Sequence, residues 1–298
     1  MNINICIPVY NEEENLPTFI QDLNKFIKDN ETNKFRFEVV FYNDGSTDKS
    51  MSILKNQKFT ILSELNNKGL GYAINQLFMY SKTQEVDGVI KLDCDGQMDI
   101  FQINSFLELI NKNNPDLIQG NRFNISDSFR LGLIKKIGML FFRTLFKILG
   151  IKIADSTNGF IFVSKKWLED YKIIGNYNAA QQIILDTKLR GLDLMEIDVK
   201  IKNRKAGKSF IGIRYPVNVI SSMVALILFR KSNKLLIAPG IIILLSGVFV
   251  FINDLVLWIG GKEDKIISNN IVIFLFFIGL QMVSFGVIIE FLKKQKII

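Results

Sequence analysis

Asp93 and Asp95 flank Cys94 in the stretch KLDCDGQMD, residues Lys91 to Asp99, where Gly96 permits a tight turn and Gln97 offers another oxygen. Carboxylates this close repel one another, so they are either solvated on a loop or held together by a cation. An all-oxygen donor set suits Mg²⁺ or Mn²⁺, which keep several waters and bind phosphates beside one or two carboxylates. Two other polar clusters also follow apolar runs directly: PVYNEEEN, Pro8 to Asn15, and NDGSTDKS, Asn43 to Ser50. Each has a plainer reading. Asn11 is a candidate helix N-cap with Glu12, Glu13 and Glu14 at the positive end of the dipole, and the second cluster reads as a turn at Gly45 followed by an N-cap around Ser46-Thr47-Asp48.

The rest of the composition narrows the chemistry. Among 298 residues there is no histidine, which removes imidazole bases, Ser-His-Asp triads and most zinc chemistry. Two distant cysteines, Cys6 and Cys94, support neither a disulfide framework nor a Cys-rich metal site. The formal charge of +8 suits an anionic partner, and a mean hydropathy of +0.22 exceeds that of an ordinary soluble enzyme. No nucleic-acid-binding module is recognisable, and several of the basic residues border long apolar runs, so a bilayer accounts for the charge better than nucleic acid does.

Those runs are Leu235 to Asn253 and Ile266 to Ile289, both free of charge and long enough for a bilayer core. Arg230, Lys231 and Lys234 precede the first, and Lys293, Lys294 and Lys296 follow the second, whereas the GGKEDK link between them is mixed in sign. The positive-inside rule therefore puts both outer flanks, and the large N-terminal region, on the cytoplasmic side of an integral membrane protein. The N-terminus reaches acidic residues by Glu12 and does not read as a secretory signal.

Upstream, short β-rich runs alternate with amphipathic stretches. INICIPVY, FEVVFYND, FTILSEL and GVIKLDCD read as strands, while Leu16 to Lys28 and GLGYAINQLFMYSK read as helices between them. Alternation of this kind gives an α/β fold with a mainly parallel sheet, whose ligands bind at the carboxyl ends of the strands, where all three polar clusters fall. The expected organisation is a domain over residues 1–215, an amphipathic interface helix over 216–232 and a membrane domain with two transmembrane helices over 233–298.

In this order, PVYNEEENLP, NDGSTD, NNKGLGYAIN and LDCDGQMD resemble the family-two inverting glycosyltransferases of GT-A fold. With QGNRF, DSTNGF, NRKAGKSF and the terminal apolar pair, the chain is similar to their polyprenyl-phosphate glycosyltransferase group, which includes dolichyl-phosphate mannosyltransferase and bacterial undecaprenyl-phosphate glucosyltransferases. The resemblance implies a nucleotide-sugar site formed by Pro8, Tyr10, Asn11, Glu12, Asn43, Asp44, Lys68, Asp93 and Cys94. It implies a Mg²⁺ or Mn²⁺ site at Asp93, Asp95 and Gln97, and acceptor-phosphate contacts from Arg122, Lys136, Arg204, Lys208 and Ser209. Asp95, Asp93 and Arg204 are the implied catalytic residues, and a homo-oligomer is compatible with the group.

The sequence departs from the group's pattern in two places. Ile161 in NGFIF stands where an Arg is common. Gln182 in AAQQIILD stands where an acid is common, with Asp186 one turn later either substituting or simply solvated. These departures slightly favour a rival reading, transfer to a hydroxyl acceptor in glycan synthesis; a non-catalytic nucleotide-sugar-binding membrane component is a further alternative. A lipid monophosphate, with a second pKa of about 6, would be ionised at neutral pH and need no strong base, as befits a chain without histidine. In LIKKIGMLFFRTLFKILG, Lys135 and Lys136 either grip the phosphate or meet the bilayer face. Leu133, Ile137, Leu140, Phe141, Leu145 and Ile148 form one face for lipid or for core.

Overall fold

The computed structural model describes every residue except 33, 124–132, 176–178, 203–214, 263–269 and 296–298. Its first four apolar runs become strands β1 (Asn2–Val9), β2 (Arg36–Asp44), β3 (Thr60–Glu64) and β4 (Gly88–Lys91). With β5 (Leu117–Asn121), β6 (Ile161–Ser164) and β7 (Leu194–Asp198) they form a seven-stranded sheet in the order β3-β2-β1-β4-β6-β5-β7. All neighbours are parallel except β6, which runs antiparallel to both β4 and β5. From β1 the chain winds outward through β2 to β3, then returns to place β4 on the other side of β1. That reversal opens a crevice at the carboxyl ends of β1 and β4, the usual ligand position in such sheets.

Helices cover both faces. In α1 (Leu16–Asn30), Leu16, Phe19, Ile20, Leu23 and Phe26 recur at helical spacing and are buried. They share one core with Ile3, Ile5, Ile7 and Val9, the alternate residues on one side of β1. The same layer takes Ile103, Phe106, Leu107 and Ile110 from α4 (Ile103–Asn113), with Phe106 stacked on Phe160 at 4.5 Å between ring centroids. Each such side chain contributes about 1.5–3 kcal/mol on burial. The opposite side of β1 presents Asn4 and Cys6, both buried beside Ser81 of α3 (Leu70–Thr83); Asn4 Nδ2 donates to Ser81 Oγ at 3.1 Å. Burial pushes the Cys6 thiol up to about 12.

Helix starts differ from expectation. Asn11 is not an N-cap: it holds a left-handed φ of 54°, and α1 begins five residues later at Leu16. The next helix, α2 (Ser50–Lys55), starts beyond Asp48, whose Oδ1 accepts from Ser50 N at 2.9 Å while its Oδ2, like Ser46 Oγ, is taken by the first loop. Four further helices follow: α5 (Leu133–Ile148), α6 (Lys165–Glu169), α7 (Ala180–Leu189) and α8 (Tyr215–Ser232).

By internal contacts the chain divides into Met1–Met223 and Val224–Ile298, a boundary inside α8. That helix buries Val219, Met223, Leu226 and Phe229 but exposes Val217 and Val224, so it is apolar on more than one side and less amphipathic than its spacing implies. A π-helical turn, Asn233–Ile237, leads into α9 (Ala238–Ile259), and α10 (Ile271–Lys294) pairs with α9 as an antiparallel hairpin. At 1.5 Å per residue these 22- and 24-residue helices are about 33 and 36 Å long, and both are apolar enough to cross a membrane. The first is shifted from the expected run and includes Asp254. In α9 the buried positions are Gly240, Gly247 and Asp254; in α10 they are Val272, Gly279 and Gly286. Both sets recur every seven residues. A Cβ on Gly279 would lie 2.7 Å from Leu244 Cγ and 2.9 Å from the Leu244 nitrogen, so the backbones meet at van der Waals contact.

Candidate active site

Four loops meet at the crevice and hold one another by side-chain to backbone hydrogen bonds. Ser46 Oγ accepts from the Asn11 amide (3.1 Å), Ser50 Oγ from Glu12 (2.8 Å) and Asp48 Oδ2 from Glu13 (3.0 Å). In return Asn11 Oδ1 accepts from Thr47 N at 2.8 Å and Glu13 Oε2 from Lys49 N at 2.9 Å. The loops after β1 and β2 are thus zipped together, and the zip explains the left-handed Asn11. Asp48 is partly desolvated, which raises its pKa. Hydrogen bonds from the Ser50 hydroxyl, the Ser50 amide and the Glu13 amide outweigh this and hold the carboxyl below its ordinary value.

Asp44 takes the third loop. Its Oδ1 accepts from Lys68 N and its Oδ2 from Gly69 N, both at 2.8 Å. Beside it Gly45 has a φ of 68°, and a Cβ there would sit 2.5 Å from the Asn66 carbonyl carbon, so only glycine lets the second and third loops approach this closely. Asn43 is buried, and its Oδ1 has no hydrogen-bond partner among the described residues, so it is open to a partner from outside them. Pro8 is buried, Tyr10 half-buried and Lys68 exposed at the rim.

The fourth loop carries the acidic motif. Here β4 ends at Lys91, earlier than the sequence implied, so Leu92 to Asp99 lies beyond the strand. Cys94 is buried with its Sγ 3.6 Å from the Pro8 carbonyl, and burial pushes its thiol well above the ordinary value. It ties the loop to the end of β1 as a neutral thiol. Asp95 Oδ1 accepts from Gln97 N at 3.1 Å, and Gln97 Nε2 donates to the Lys202 carbonyl at 3.2 Å, which leaves Oε1 as the oxygen Gln97 can offer a cation. Asp93 Oδ1 lies 2.5 Å from Lys91 Nζ, an ion pair that the spacing of carboxylates did not reveal. Among the described residues, no three His, Cys, Asp or Glu side chains gather into a self-sufficient metal cage. Two carboxylates and an amide oxygen instead match the sparse protein share of a Mg²⁺ or Mn²⁺ site completed by phosphates and water.

The remaining expected site residues are placed unevenly. Arg122 forms a fork on buried Asp155, with Nε to Oδ2 at 2.7 Å and Nη2 to Oδ1 at 3.1 Å, and Nη2 also reaches Thr157 Oγ1. Glu196 accepts from the Ala154 and Asp155 amides (2.9 and 3.1 Å). Burial raises its pKa, although those amides pull the other way. Arg122 therefore anchors the DSTNGF segment. Arg204, Lys208 and Ser209 lie outside the described residues, as does the Lys136 side chain; the chain just before them is pinned at the motif, with Lys202 N donating to the Gln97 carbonyl at 2.8 Å and Lys200 N to Gln102 Oε1 at 2.5 Å.

At the departures, Ile161 is a buried strand residue directly across from Lys91. Gln182 clamps the Ile174 peptide, accepting from its nitrogen at 2.7 Å and donating to its carbonyl at 2.9 Å. Asp186 is neither solvated nor available as an acid: it is fully buried and ion-paired with Arg190 at 3.6 Å. On α5, Ile137, Leu140, Phe141 and Ile148 are exposed, while Phe142 and Phe146, absent from the face singled out in the sequence, supply its core contact.

A mostly parallel sheet with a switch-point crevice, ringed by loops that present paired aspartates, has the architecture of the GT-A class. The chain belongs to glycosyl transferase family 2, whose model matches residues 4–172. It is 26% identical over 301 residues to the bactoprenol glucosyl transferase of Shigella phage SfV, covering 99% of this chain and 94% of that one. To the dolichyl-phosphate beta-glucosyltransferase of Dictyostelium discoideum it is 25% identical over 174 residues, 53% of this chain and 52% of the other. The fold matches glucosyl-3-phosphoglycerate synthase from Mycobacterium tuberculosis, solved with Mn²⁺, UDP and phosphoglyceric acid, with a TM-score of 0.55 over 77% of this chain and 78% of that one at 15% identity.

Proposed function

We propose that this glycosyltransferase moves a hexose from a nucleotide diphosphate sugar, a UDP-sugar in preference to a GDP-sugar, to a polyprenyl monophosphate with inversion. The observation that carries the reading is the end-to-end similarity to a bactoprenol glucosyl transferase, which spans the sheet and the apolar hairpin together. The exposed apolar residues of α5 beside Arg143 and Lys147 add a surface that suits an anionic bilayer. Orientation follows the basic residues Arg230, Lys231, Lys234, Lys293 and Lys294, with Lys293 Nζ 2.7 Å from Ser232 Oγ at one end of the hairpin; by the positive-inside rule that end and the catalytic domain are cytoplasmic.

In this reading the base and ribose lie against Asn43 and the loops after β1 and β2, and the diphosphate crosses the crevice to the β4 loop. Asp95, with Asp93 and Gln97 Oε1 beside it, would hold Mg²⁺ or Mn²⁺, which supplies positive charge where the leaving diphosphate gains negative charge. Asp44 keeps the third loop closed through the Lys68 and Gly69 amides, and Cys94 keeps the β4 loop registered on Pro8. An acceptor phosphate oxygen attacks the anomeric carbon as the diphosphate departs from its opposite side. It is already ionised at neutral pH, so no general base is required. A hydroxyl acceptor would call for a carboxylate base, and at this position Asp186 is buried in an ion pair while Gln182 is committed to the Ile174 backbone. Self-association stays an option of the reading.

The deciding experiment incubates purified protein with a panel of radiolabelled nucleotide sugars, undecaprenyl phosphate and Mg²⁺ or Mn²⁺. An acid-labile glycolipid is the expected product. Transfer to a hydroxyl-bearing glycan, with none to the lipid phosphate, would overturn the acceptor assignment.

A further inference from the structure

Helix α5 carries a surface that no described residue covers. Its sixteen residues include no acid, and the side chains from Ile137 onward fall into three sectors. Phe142 and Phe146 are buried and hold the helix to its domain. At about 100° per residue, Ile137, Leu140, Phe141, Thr144 and Ile148 share one outward arc, and Ile137, Leu140 and Ile148 are 61%, 65% and 77% exposed. Arg143 and Lys147, one turn apart, border that arc; both are exposed, and neither pairs with an acid among the described residues. An apolar arc edged by unpaired cations is the cross-section of a helix lying in a headgroup layer, its arc sunk toward the acyl chains and its cations left among the phosphates. A second copy of this chain fits the surface poorly, since a two-fold contact would set Arg143 and Lys147 against the same charges and take them out of water.

The chain that leaves α5 runs straight to the crevice. Ile151 N donates to the Phe146 carbonyl at 2.8 Å, Ile151 and Ile153 are buried, and Asp155 takes the fork of Arg122. Gly159 then closes over the acidic motif, so near that a Cβ there would lie 2.6 Å from Asp93 Oδ2. We infer that α5 docks its unit on anionic phospholipid, and that seating the helix fixes residues 151–159 against the acidic motif and so speeds transfer. The inference rests on the lipid-phosphate transfer proposed above and adds a regulator to it, the charge of the leaflet. A neutral leaflet gives the two cations no partner, so the helix seats weakly there and transfer is slower.

The test uses the full-length protein in lipid nanodiscs of phosphatidylcholine, or of an equal mixture with phosphatidylglycerol. Cys6 and Cys94 are buried, so a nitroxide attached through Thr144→Cys reports on α5 alone. In the mixed discs the label should be reached by oxygen dissolved in the bilayer and shielded from a water-soluble nickel chelate; in phosphatidylcholine it should be open to the chelate. Sugar transfer to undecaprenyl phosphate by the unlabelled protein should run about tenfold faster in the mixed discs. Arg143→Gln with Lys147→Gln should bring that rate down to about the phosphatidylcholine rate, and Ile137→Ser with Ile148→Ser should open the label to the chelate in the mixed discs as well. All four side chains are exposed, so the thermal midpoint and UDP affinity should hold, which separates lost docking from lost folding. A label open to the chelate in both lipids, or a transfer rate indifferent to phosphatidylglycerol, overturns the inference. Spin-spin broadening between labels in both lipids assigns the face to a second copy and overturns it too. Transfer to a hydroxyl-bearing glycan alone defeats the acceptor assignment, while the depth of the label still decides the docking.

Discussion

The sheet's carboxyl end and the apolar hairpin of α9 and α10 solve the same problem, bringing distant backbone close together, by opposite means. At the crevice the loops are joined by polar side chains that reach across to amides: Ser46, Asp48 and Ser50 to the first loop, Asp44 to the third. In the hairpin, side chains are removed instead: Gly240, Gly247 and Gly279 let α9 and α10 touch directly, and Gly286 makes room for Ile237 of the π-helical turn. The difference reflects the surroundings. Beside water a loop gains by trading solvent for a fixed partner, whereas in a lipid-like setting helices gain from close packing, since lipid tails are as apolar as leucine. Order at the crevice is therefore written in charges and hydrogen bonds, and order in the hairpin in shape.

Substitutions that touch one region and spare the other break the comparison most sharply. Asp95→Ala should lower kcat for sugar transfer about a thousandfold, near 4 kcal/mol at roughly 1.4 kcal/mol per decade. Membrane insertion and the thermal unfolding of the hairpin should stay as in wild type, and full activity in the purified variant would remove Asp95 from the site. The converse change is Gly279→Leu. Its side chain would be driven into Leu244, and overpacking of this kind costs about 1–3 kcal/mol. Unfolding in detergent, followed by circular dichroism, should show a less stable hairpin, while UDP binding by the Met1–Met223 unit keeps its wild-type affinity. A hairpin that tolerates leucine there would mean the close approach contributes little.

Local periodicity made the scaffold legible in the sequence. Leu16, Phe19, Ile20, Leu23 and Phe26 bury as their spacing requires, and the strand runs fall within a residue or two of their positions, apart from the early end of β4 at Lys91. The place of the acidic motif was legible for a similar reason, since Asp93 and Asp95 follow β4 directly in the chain. Partnerships between distant segments were hidden. Nothing in the spacing of Asp44 announces the Lys68 and Gly69 amides, nor does Lys91 read as the counter-ion of Asp93 when a lysine beside a strand usually points to water. The one available signal was Lys91 itself, a charge in the apolar run Gly88–Leu92, and such a charge is costly unless paired. The Asp155 fork on Arg122 was hidden in the same way, since the two residues are 33 positions apart in the chain.

The smallest expected effect concerns the zip between the first two loops, through Asp48. Its carboxyl is held below the ordinary aspartate value because, although partial burial favours the neutral form, the Ser50 hydroxyl and amide and the Glu13 amide all donate to the charged one. A folded-state pKa below the unfolded value means that the stabilisation is fully present above about pH 4 and is lost as pH falls through the folded value. Nucleotide binding should therefore weaken, and the Met1–Met223 unit should lose stability, in that acidic window. Asp48→Asn keeps an oxygen for one amide but gives up the charge, so it should flatten this part of the pH profile while costing under about 1 kcal/mol at neutral pH, since Asp48 is only half-buried and solvent screens its charge. An Asp48→Asn profile that retains the full acid-side slope would place the titrating group elsewhere, and the zip would then be held by Ser46, Ser50 and Glu13 without a charge at its centre.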